Sequence, residues 1–324
     1  MMLHRAVCDR LGPDAIRTSA KVTGFENTDT GVTVAVTDSS DSSRAVTTEH
    51  CTVLVGADGI HSSIRAQMYP DEGEPLWSGR ILWRATTRAK PYLNGSTMVL
   101  SGHERTKFVS YPISPVDPRS GEATLNWIAQ RTFDRSSRFN KEDYTRHARA
   151  DDFLHAFDGW SFPWIDDVEA LVNGAAQIFE YPMVDRNPLP RWSFGNVTLL
   201  GDAAHVMYPV GSNGASQAIV DARKLGRALL DHGIGALALQ AYEDEMRPAT
   251  EKMILTNRTA GPDHIMQIVE VRCGGVFRDI SEVMTHSELE EFAARYKKTA
   301  GLAIAELNAA APIIPTGRPL ALDQ

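Results

Sequence analysis

The spacing of apolar and polar residues changes several times along the chain, and each change predicts a different element. Apolar residues at positions 2, 3, 6, 7 and 11 have helical spacing, and Gly12-Pro13 ends this predicted helix. Short alternating runs at 21–25, 32–36 and 45–49 predict a small meander of strands. The continuous apolar run 51–55 predicts a buried strand that leads into "GADGIHSSIR".

Longer alternating runs follow between residues 81 and 132. They read "ILWRATTR", "TMVLSG", "KFVSYPIS" and "ATLNWIAQ". This alternation is typical of an antiparallel sheet with one covered face, so we predict a sheet inserted at this point of the chain. A charged helix is predicted over 141–157 and a further strand over 177–182.

The stretch "LLGDAAHVMYPVGSNGASQAIVDA", residues 199–222, predicts a strand, a turn and a helix. The helix has apolar residues at 215, 218, 219, 222, 225 and 229, which share one face. A second helix is predicted over 236–258, with a kink at Pro248. In "HSELEEFAARYKKTAG" we predict a capping box of Ser287 and Glu290 and a helix end at Gly301.

The order of these elements predicts an α+β protein. Residues 1–70 and 191–232 are expected to form parts of one α/β unit, and 71–190 a separate domain built on the antiparallel sheet. Residues 233–324 are expected to form C-terminal helices and an extended tail.

Composition excludes several kinds of protein. The net charge of −8 argues against a nucleic-acid surface, which needs clustered Lys and Arg. An apolar run long enough to span a membrane is not seen, and the charged N-terminal residues do not resemble a signal peptide, so we expect a cytoplasmic protein. Three widely separated cysteines and ten scattered histidines have no metal-ligand spacing, so we expect no metal.

Two short motifs carry candidate chemistry. Asp202 follows a predicted strand, where α/β sheets bind ligands, and Gly211 and Gly214 allow the backbone to approach a flat ligand. The helix that starts near Gly214 offers free N–H groups to an anion. The second motif, D-G-x-x-S-x-x-R, begins at Asp58-Gly59 and ends at Arg65. Each motif alone is also compatible with an ordinary turn and a solvated aspartate.

Together, in this order and separated by the predicted sheet, the two motifs resemble those of the class A flavoprotein monooxygenases. "WRA" at 83–85, "YPMVDRNPLPRW" at 181–192 and "MYPVGSNGASQAI" at 207–219 are most similar to the phenazine-type branch. The resemblance implies an FAD-binding α/β domain with an inserted substrate domain. It also implies hydroxylation of a planar aromatic substrate with NAD(P)H and O2, since the cofactor carries this chemistry.

The resemblance also implies roles for individual residues. Asp202, after Gly201, would bind the ribityl chain of FAD, and the backbone from Pro209 through Gly211, Ser212 and Asn213 to Gly214 would face the flavin ring. Asp58, Gly59 and Arg65 would lie beside the pyrophosphate, and the family links this motif to the reduced nicotinamide as well. Ser212 stands where many relatives have glycine, which departs from the pattern.

A larger departure concerns the phosphate-binding half of the cofactor site. The family pattern begins with a strand, G-x-G-x-x-G and a helix, whereas the first glycines here, at 12, 24 and 31, do not open such a turn. We therefore expect an incomplete FAD-binding domain that retains FAD weakly. Two alternatives stay open: a non-catalytic, N-terminally truncated remnant, and a flavin-dependent reductase or oxidase without hydroxylation.

Candidate substrate contacts follow from the same stretches. Trp83, Met207 and Tyr208 are predicted to line an aromatic pocket, although each is also a plausible core residue. Arg84 is predicted either to meet a substrate carboxylate or to pair with an acid on the sheet. His205 is expected to support the turn behind Asp202. The sequence identifies no catalytic acid or base, and it leaves the oligomeric state unknown.

Overall fold

The computed structural model describes residues 2–40, 45–134, 145–162, 167–211, 213–259, 264–299 and 308–317. Its helices are α1 (Met2–Leu11), α2 (Ser63–Met68), α3 (Val168–Asn173), α4 (Asp202–His205), α5 (Gly214–His232), α6 (Ala236–Thr259), α7 (His264–Cys273) and α8 (His286–Thr299). Its strands are β1 (Ala20–Thr28), β2 (Gly31–Asp38), β3 (Val46–Cys51), β4 (Leu54–Gly56), β5 (Leu76–Ala89), β6 (Val99–Gly102), β7 (Thr106–Pro112), β8 (Ala123–Thr132), β9 (His147–Ala148), β10 (Ile178–Asp185), β11 (Ser193–Phe194) and β12 (Val197–Leu199). The predicted α+β class is confirmed.

The strands that precede the two motifs are neighbours in space. β4 pairs with β12 in parallel, with Leu54 opposite Val197 and Gly56 opposite Leu199, and β11 lies antiparallel on the far side of β12. A Cβ on Gly56 would lie 2.9 Å from the Cβ of Ile64, so only glycine permits this close packing of α2 on the sheet. Because parallel strands end at the same edge, the loops that carry Asp58 and Asp202 leave the sheet together.

β1, β2 and β3 form a separate antiparallel sheet in the order β1-β2-β3. The prediction of one strand over 51–55 is wrong, because the chain changes partners within that run. Cys51 pairs with Val32 at the end of β3, whereas Leu54 N–H donates to the Asn196 carbonyl at the start of β4. Residues 51–55 therefore contribute to two sheets, although their continuous apolar pattern predicts a single strand.

The inserted antiparallel sheet is confirmed, with strand order β6-β7-β8-β5-β10-β9. Its covered face is an apolar cluster closed by α3 and the 3₁₀ turns Ala150–Asp152 and Leu154–Phe157. The covered face comprises Trp77, Ile81, Trp83, Ala85, Phe108, Leu125, Trp127 and Ala129. Alternate residues form the opposite face, in cross-strand rows of Gly102, Lys107, Gln130, Leu82 and Tyr181, then Leu100, Val109, Ile128, Arg84 and Phe179, then Tyr111, Asn126 and Thr86.

The helix predicted over 141–157 is wrong wherever the structure describes it, and residues 141–144 lie outside the described residues. His147–Ala148 forms the edge strand β9, and the two 3₁₀ turns follow. The Asp152 carboxylate accepts from Arg149 N–H at 2.8 Å and turns the chain there. Phe153 and Phe157 are buried against the sheet. This tertiary packing favours the 3₁₀ turns over the helix that the local pattern predicts.

The C-terminal helices differ from prediction in two details. α5 buries Asp221, Leu225 and Ala228, whereas Ile219 on the predicted apolar face is 68% exposed. The capping box at α8 is formed by Thr285 and Glu288, two residues earlier than predicted. Thr285 N–H donates to Glu288 Oε2 at 2.8 Å, and Glu288 N–H donates to Thr285 Oγ1 at 3.2 Å. Gly301 lies outside the described residues.

Within the described ranges, no helix has the length and apolar character needed to cross a membrane. The domain boundaries given above stay a prediction.

Candidate cofactor site

The Asp58 loop is held by its own hydrogen bonds. The Asp58 carboxylate accepts from Ser63 N–H at 2.8 Å and from Ser63 Oγ at 3.2 Å, and Ser62 Oγ caps α2 by accepting from Arg65 N–H at 2.9 Å. Gly59 has φ of +78°, and a Cβ there would meet nothing within 4 Å. The loop therefore presents open backbone at Gly59 from a fixed frame.

Arg65 connects the two motifs instead of facing a ligand. Its side chain is 2% exposed, and Nη1 donates to the carbonyls of Ala203 at 2.9 Å and Ala204 at 3.1 Å. Nε and Nη2 bind the Glu72 carboxylate, and Nη2 also donates to the Asn187 carbonyl at 3.4 Å. All five guanidinium donors are thus engaged by protein groups. The Arg65 guanidinium therefore holds the Asp202 loop through its backbone carbonyls, and the place of Arg65 beside the pyrophosphate stays a prediction.

The Asp202 turn depends on Gly201. Gly201 has φ of +62° and ψ of −142°, a conformation essentially restricted to glycine, and its carbonyl accepts from the N–H groups of Ala204 and His205. A Cβ on Gly201 would also lie 3.3 Å from the Ala218 Cβ on α5. This turn places Asp202 at the first position of α4.

A buried pair holds this turn against α5. Asp221 Oδ2 accepts from Gly201 N–H at 3.1 Å and lies 2.5 Å from His205 Nε2. Both side chains are fully buried, and the His205 ring lies 5.4 Å from the Trp192 ring. Sequence analysis expected His205 behind the turn but missed Asp221. An aspartate between the apolar residues 218 and 225 of a helix face is the signal that would have identified it.

Asp202 itself faces away from these internal contacts. Its carboxylate is exposed, accepts no hydrogen bond from any residue that the structure describes, and has Oδ1 3.8 Å from the Cβ position of Gly214. α5 begins at Gly214, and its N-cap, Asn213, makes no side-chain capping bond. A 3₁₀ turn over Pro209–Gly211 completes the loop, and Ser212 lies outside the described residues. An exposed acceptor therefore adjoins a helix end with free N–H groups.

This arrangement fits the ribityl and ring portions of FAD. A polyol needs an acceptor such as the free Asp202 carboxylate, and a flat ring system needs backbone without obstructing side chains. Gly59 and Gly214 provide such backbone, since nothing closer than 3.8 Å would meet a Cβ at either. The uncapped start of α5 suits partial negative charge.

Two of the predicted substrate residues lie beside this loop, and the third does not. Met207 and Tyr208 are each 8% exposed; Tyr208 OH donates to the Leu76 carbonyl at 3.4 Å, and Asn257 Nδ2 to the Tyr208 carbonyl at 3.4 Å. Trp83 instead stacks on Phe153 at 4.6 Å within the covered face. The prediction that Trp83 lines a pocket is wrong, because this side chain is part of the sheet core.

Arg84 lies on the opposite face from Trp83, as alternation along β5 requires. Its guanidinium is exposed, and Nε donates to Asn126 Oδ1 at 3.1 Å. Of the two predicted roles, the pairing with an acid is not observed among the described residues. Asn126, Gln130 and Lys107 on this face were missed by sequence analysis, although their spacing of polar residues on one face of a strand was visible.

Comparison with known proteins identifies the family. The profile of the FAD binding domain family matches residues 2–256, most of the chain. The chain belongs to this family. The resemblance to class A flavoprotein monooxygenases inferred from the two motifs is confirmed.

Individual relatives agree with this assignment. The chain is 43% identical over 265 residues to the phenazine 1,6-dicarboxylic acid hydroxylase PhzS of Lysobacter antibioticus, covering 80% of this chain and 63% of that protein. It is 33% identical over 270 residues to a 3-amino-4-hydroxybenzoate 2-monooxygenase of Streptomyces platensis, covering 80% and 61%. The chain thus spans about 60% of the length of these curated relatives.

Solved structures share the fold. HpxO of Klebsiella pneumoniae complexed with FAD and uric acid matches 92% of this chain and 67% of its own, with a TM-score of 0.64 and 21% identity. A salicylate hydroxylase substrate complex matches 93% and 75%, with a TM-score of 0.61 and 22% identity. Because these two structures are only 21% and 22% identical to the chain, their similarity establishes the fold and no function.

Proposed function

We propose that this chain forms the flavin-ring and substrate-binding part of an FAD-dependent monooxygenase that hydroxylates a planar aromatic compound with NAD(P)H and O2. The observation that carries the proposal is the parallel pairing of β4 with β12. This pairing brings the Asp58 and Asp202 loops to one sheet edge, beside the uncapped start of α5. The hydroxylase names of the similar proteins support the same reaction class.

The side chains of this site bind and orient; they do not supply the redox chemistry. The redox chemistry, namely hydride acceptance from NAD(P)H and activation of O2, would be supplied by bound FAD. Asp202 would accept hydrogen bonds from the ribityl hydroxyls, and the 209–214 backbone with the start of α5 would stabilise negative charge on the ring. Met207 and Tyr208 form an apolar wall that limits access of water to the ring.

We place the protein in the cytoplasm, with a small aromatic molecule as its substrate. Cys8, Cys51 and Cys273 are all free thiols, which suits a reducing compartment.

Flavin titration tests the assignment of Asp202. FAD fluorescence is followed as the 324-residue chain is added, for the parent chain and for Asp202→Ala. Removing an acceptor that serves one or two hydrogen bonds should weaken FAD binding by about ten- to hundredfold. Asp9→Ala, which removes an exposed carboxylate on α1, is the matched control and should bind FAD as the parent does. Equal affinity of parent and Asp202→Ala would overturn the assignment.

Product analysis separates the hydroxylase from a flavin-dependent oxidase. The flavin-loaded chain is supplied with NAD(P)H and a panel of aromatic carboxylates. Hydroxylated product formed in step with NAD(P)H oxidation supports the proposal, whereas stoichiometric hydrogen peroxide without product supports an oxidase.

A further inference from the structure

The turn between α7 and α8, residues 274–280, exposes apolar side chains beside an apolar cavity. Val276 is 83% exposed and Phe277 is 41% exposed. The cavity has a volume of about 410 Å³ and lies between α7, this turn, α8 and the β6–β7 hairpin. Its apolar lining comprises Ile265, Met266, Val269, Phe277, Ile280 and Leu289. An exposed apolar patch of this kind is typical of a protein–protein contact.

Hydrogen bonds on both sides of α7 fix the position of this turn. Arg272 Nη1 donates to the Val283 carbonyl at 2.9 Å, and Arg272 Nη2 donates to Glu288 Oε1 at 2.8 Å, which ties α7 to α8. Glu104 N–H donates to Gln267 Oε1 at 3.2 Å, which ties α7 to the β6–β7 hairpin. The turn is therefore held in place before any contact forms, so association costs little conformational entropy.

Two side chains of opposite charge flank the turn. Glu270, in the last turn of α7, lines the cavity, and its Oε2 lies 3.0 Å from the Cβ position of Gly275. Arg278 follows Phe277 directly and is exposed. No hydrogen bond or ion pair joins either side chain to another residue in the described part of the chain. Each charge is therefore available to a group from outside the chain.

These features complement one another, as a two-fold contact between identical chains requires. In such a contact each surface patch meets a second copy of itself, so the patch has to contain both halves of every interaction. The α7–α8 turn has an apolar projection at Val276 and an apolar cavity beside it. It also has a carboxylate at Glu270 and a guanidinium at Arg278. A partner surface of a single charge would attract one of these groups and repel the other.

We propose that the α7–α8 turn is the contact of a homodimer. Val276 of each chain enters the cavity of the other, and Glu270 of each chain pairs with Arg278 of the other across a two-fold axis. Burial of Val276 supplies the apolar contact, whereas the two ion pairs fix the orientation of the chains. Association through this turn requires neither flavin nor substrate.

Sedimentation equilibrium of the whole 324-residue chain tests the apolar part of the contact. We expect the parent chain to form a dimer as its concentration rises to about 0.1 mM. Val276→Asp places a charge in the cavity and should weaken the dimer by about thirtyfold or more, as expected for a residue at the centre of an interface. Val46→Asp, which changes a 63% exposed valine on β3, is the matched control and should associate as the parent does. A monomeric parent chain, or parent-like association of Val276→Asp, would overturn the proposal.

Charge reversals test the pairing of Glu270 with Arg278. Glu270→Arg and Arg278→Glu each bring like charges together at two places in the dimer, so each should weaken it by about tenfold or more. An equimolar mixture of the two variants should recover the affinity of the parent, because one chain then offers two arginines and the other two glutamates. Misfolding of either variant cannot produce this recovery. If the mixture associates no more tightly than either variant alone, the two-fold pairing is wrong and the proposal fails.

Discussion

Two buried side chains at this site contribute by holding the backbone of the Asp202 turn. Arg65 and Asp221 are both buried, and each bonds the backbone of the Gly201–Ala204 segment from a different side. Asp202, between them, has an exposed carboxylate that accepts no hydrogen bond within the described ranges of the chain. The sequence motifs identified Asp202 and Arg65 equally well, because a motif records which residue is required and not whether its side chain faces the ligand or the protein.

Lys107 gives a pH-dependent prediction at the residue scale. Burial, reinforced by the charge of Arg80 and opposed by that of Glu104, lowers the pKa of Lys107 from 10.5 to about 8. Above pH 8 the folded chain loses this proton while the unfolded chain still binds it, so stability rises with pH. Between pH 7.5 and 9.5 the parent should gain about 2 kcal/mol relative to Lys107→Met.

Urea unfolding of both proteins at the two pH values measures this gain. The comparison with Lys107→Met removes the contributions of other groups that titrate in the same range. A stability difference between the two proteins that does not change with pH would show that Lys107 keeps an ordinary pKa.

At the scale of elements, the antiparallel sheet was predictable from alternation, whereas the buried face of α5 was not. Alternation over 81–132 identified the inserted sheet, because a half-covered strand has to alternate. α5 was misread because its N-terminal apolar residues stay exposed, whereas the charged Asp221 is buried by its bonds to Gly201 and His205. The spacing of apolar residues predicts which face of a helix is apolar, but it does not predict which polar side chain is buried by hydrogen bonds.

Contact between α5 and the Asp202 turn gives a prediction at this scale. Gly201→Ala should destabilise the chain by about 1–3 kcal/mol, because its backbone conformation is unfavourable for any side chain. The new Cβ would also press on Ala218. Urea unfolding measures the change. Gly235→Ala is the control, since that glycine has ordinary φ and open space around it, and it should leave stability nearly unaltered. Equal stability of the two variants would contradict the account of the turn.

At the scale of the whole molecule, the Asp202 loop and the inserted antiparallel sheet are joined through α6. Arg258 on α6 binds the Asp185 carboxylate of β10 at 2.6 Å, while the neighbouring Asn257 donates to Tyr208 in the Asp202 loop. Asp185 is fully buried, and this burial raises its carboxyl pKa despite the opposing guanidinium. The two halves therefore meet at a fixed polar contact, so the position of the sheet relative to the loop is set by α6.

The distribution of donors over the whole site predicts how flavins are distinguished. In the proposed function, Asp202 and the start of α5 hold the ribityl chain and ring. The donors of Arg65, by contrast, are all engaged by protein groups. Riboflavin and FAD should therefore bind the 324-residue chain with affinities within about tenfold, since one charge-assisted phosphate bond alone exceeds that ratio. Parallel fluorescence titrations measure it. A preference for FAD of a hundredfold or more would show that the chain holds the pyrophosphate strongly.

The sequence by itself determined the class of fold, the inserted antiparallel sheet and the two motifs, because short-range patterns suffice for these. Only the tertiary structure decided that residues 147–157 form an edge strand and 3₁₀ turns, that Trp83 is core and that Arg65 faces inward. It also brought Asn126, Gln130, Lys107 and Arg84 onto one face. These outcomes depend on which distant segment of the chain covers each surface. The local spacing of apolar and polar residues does not predict that choice of packing partner.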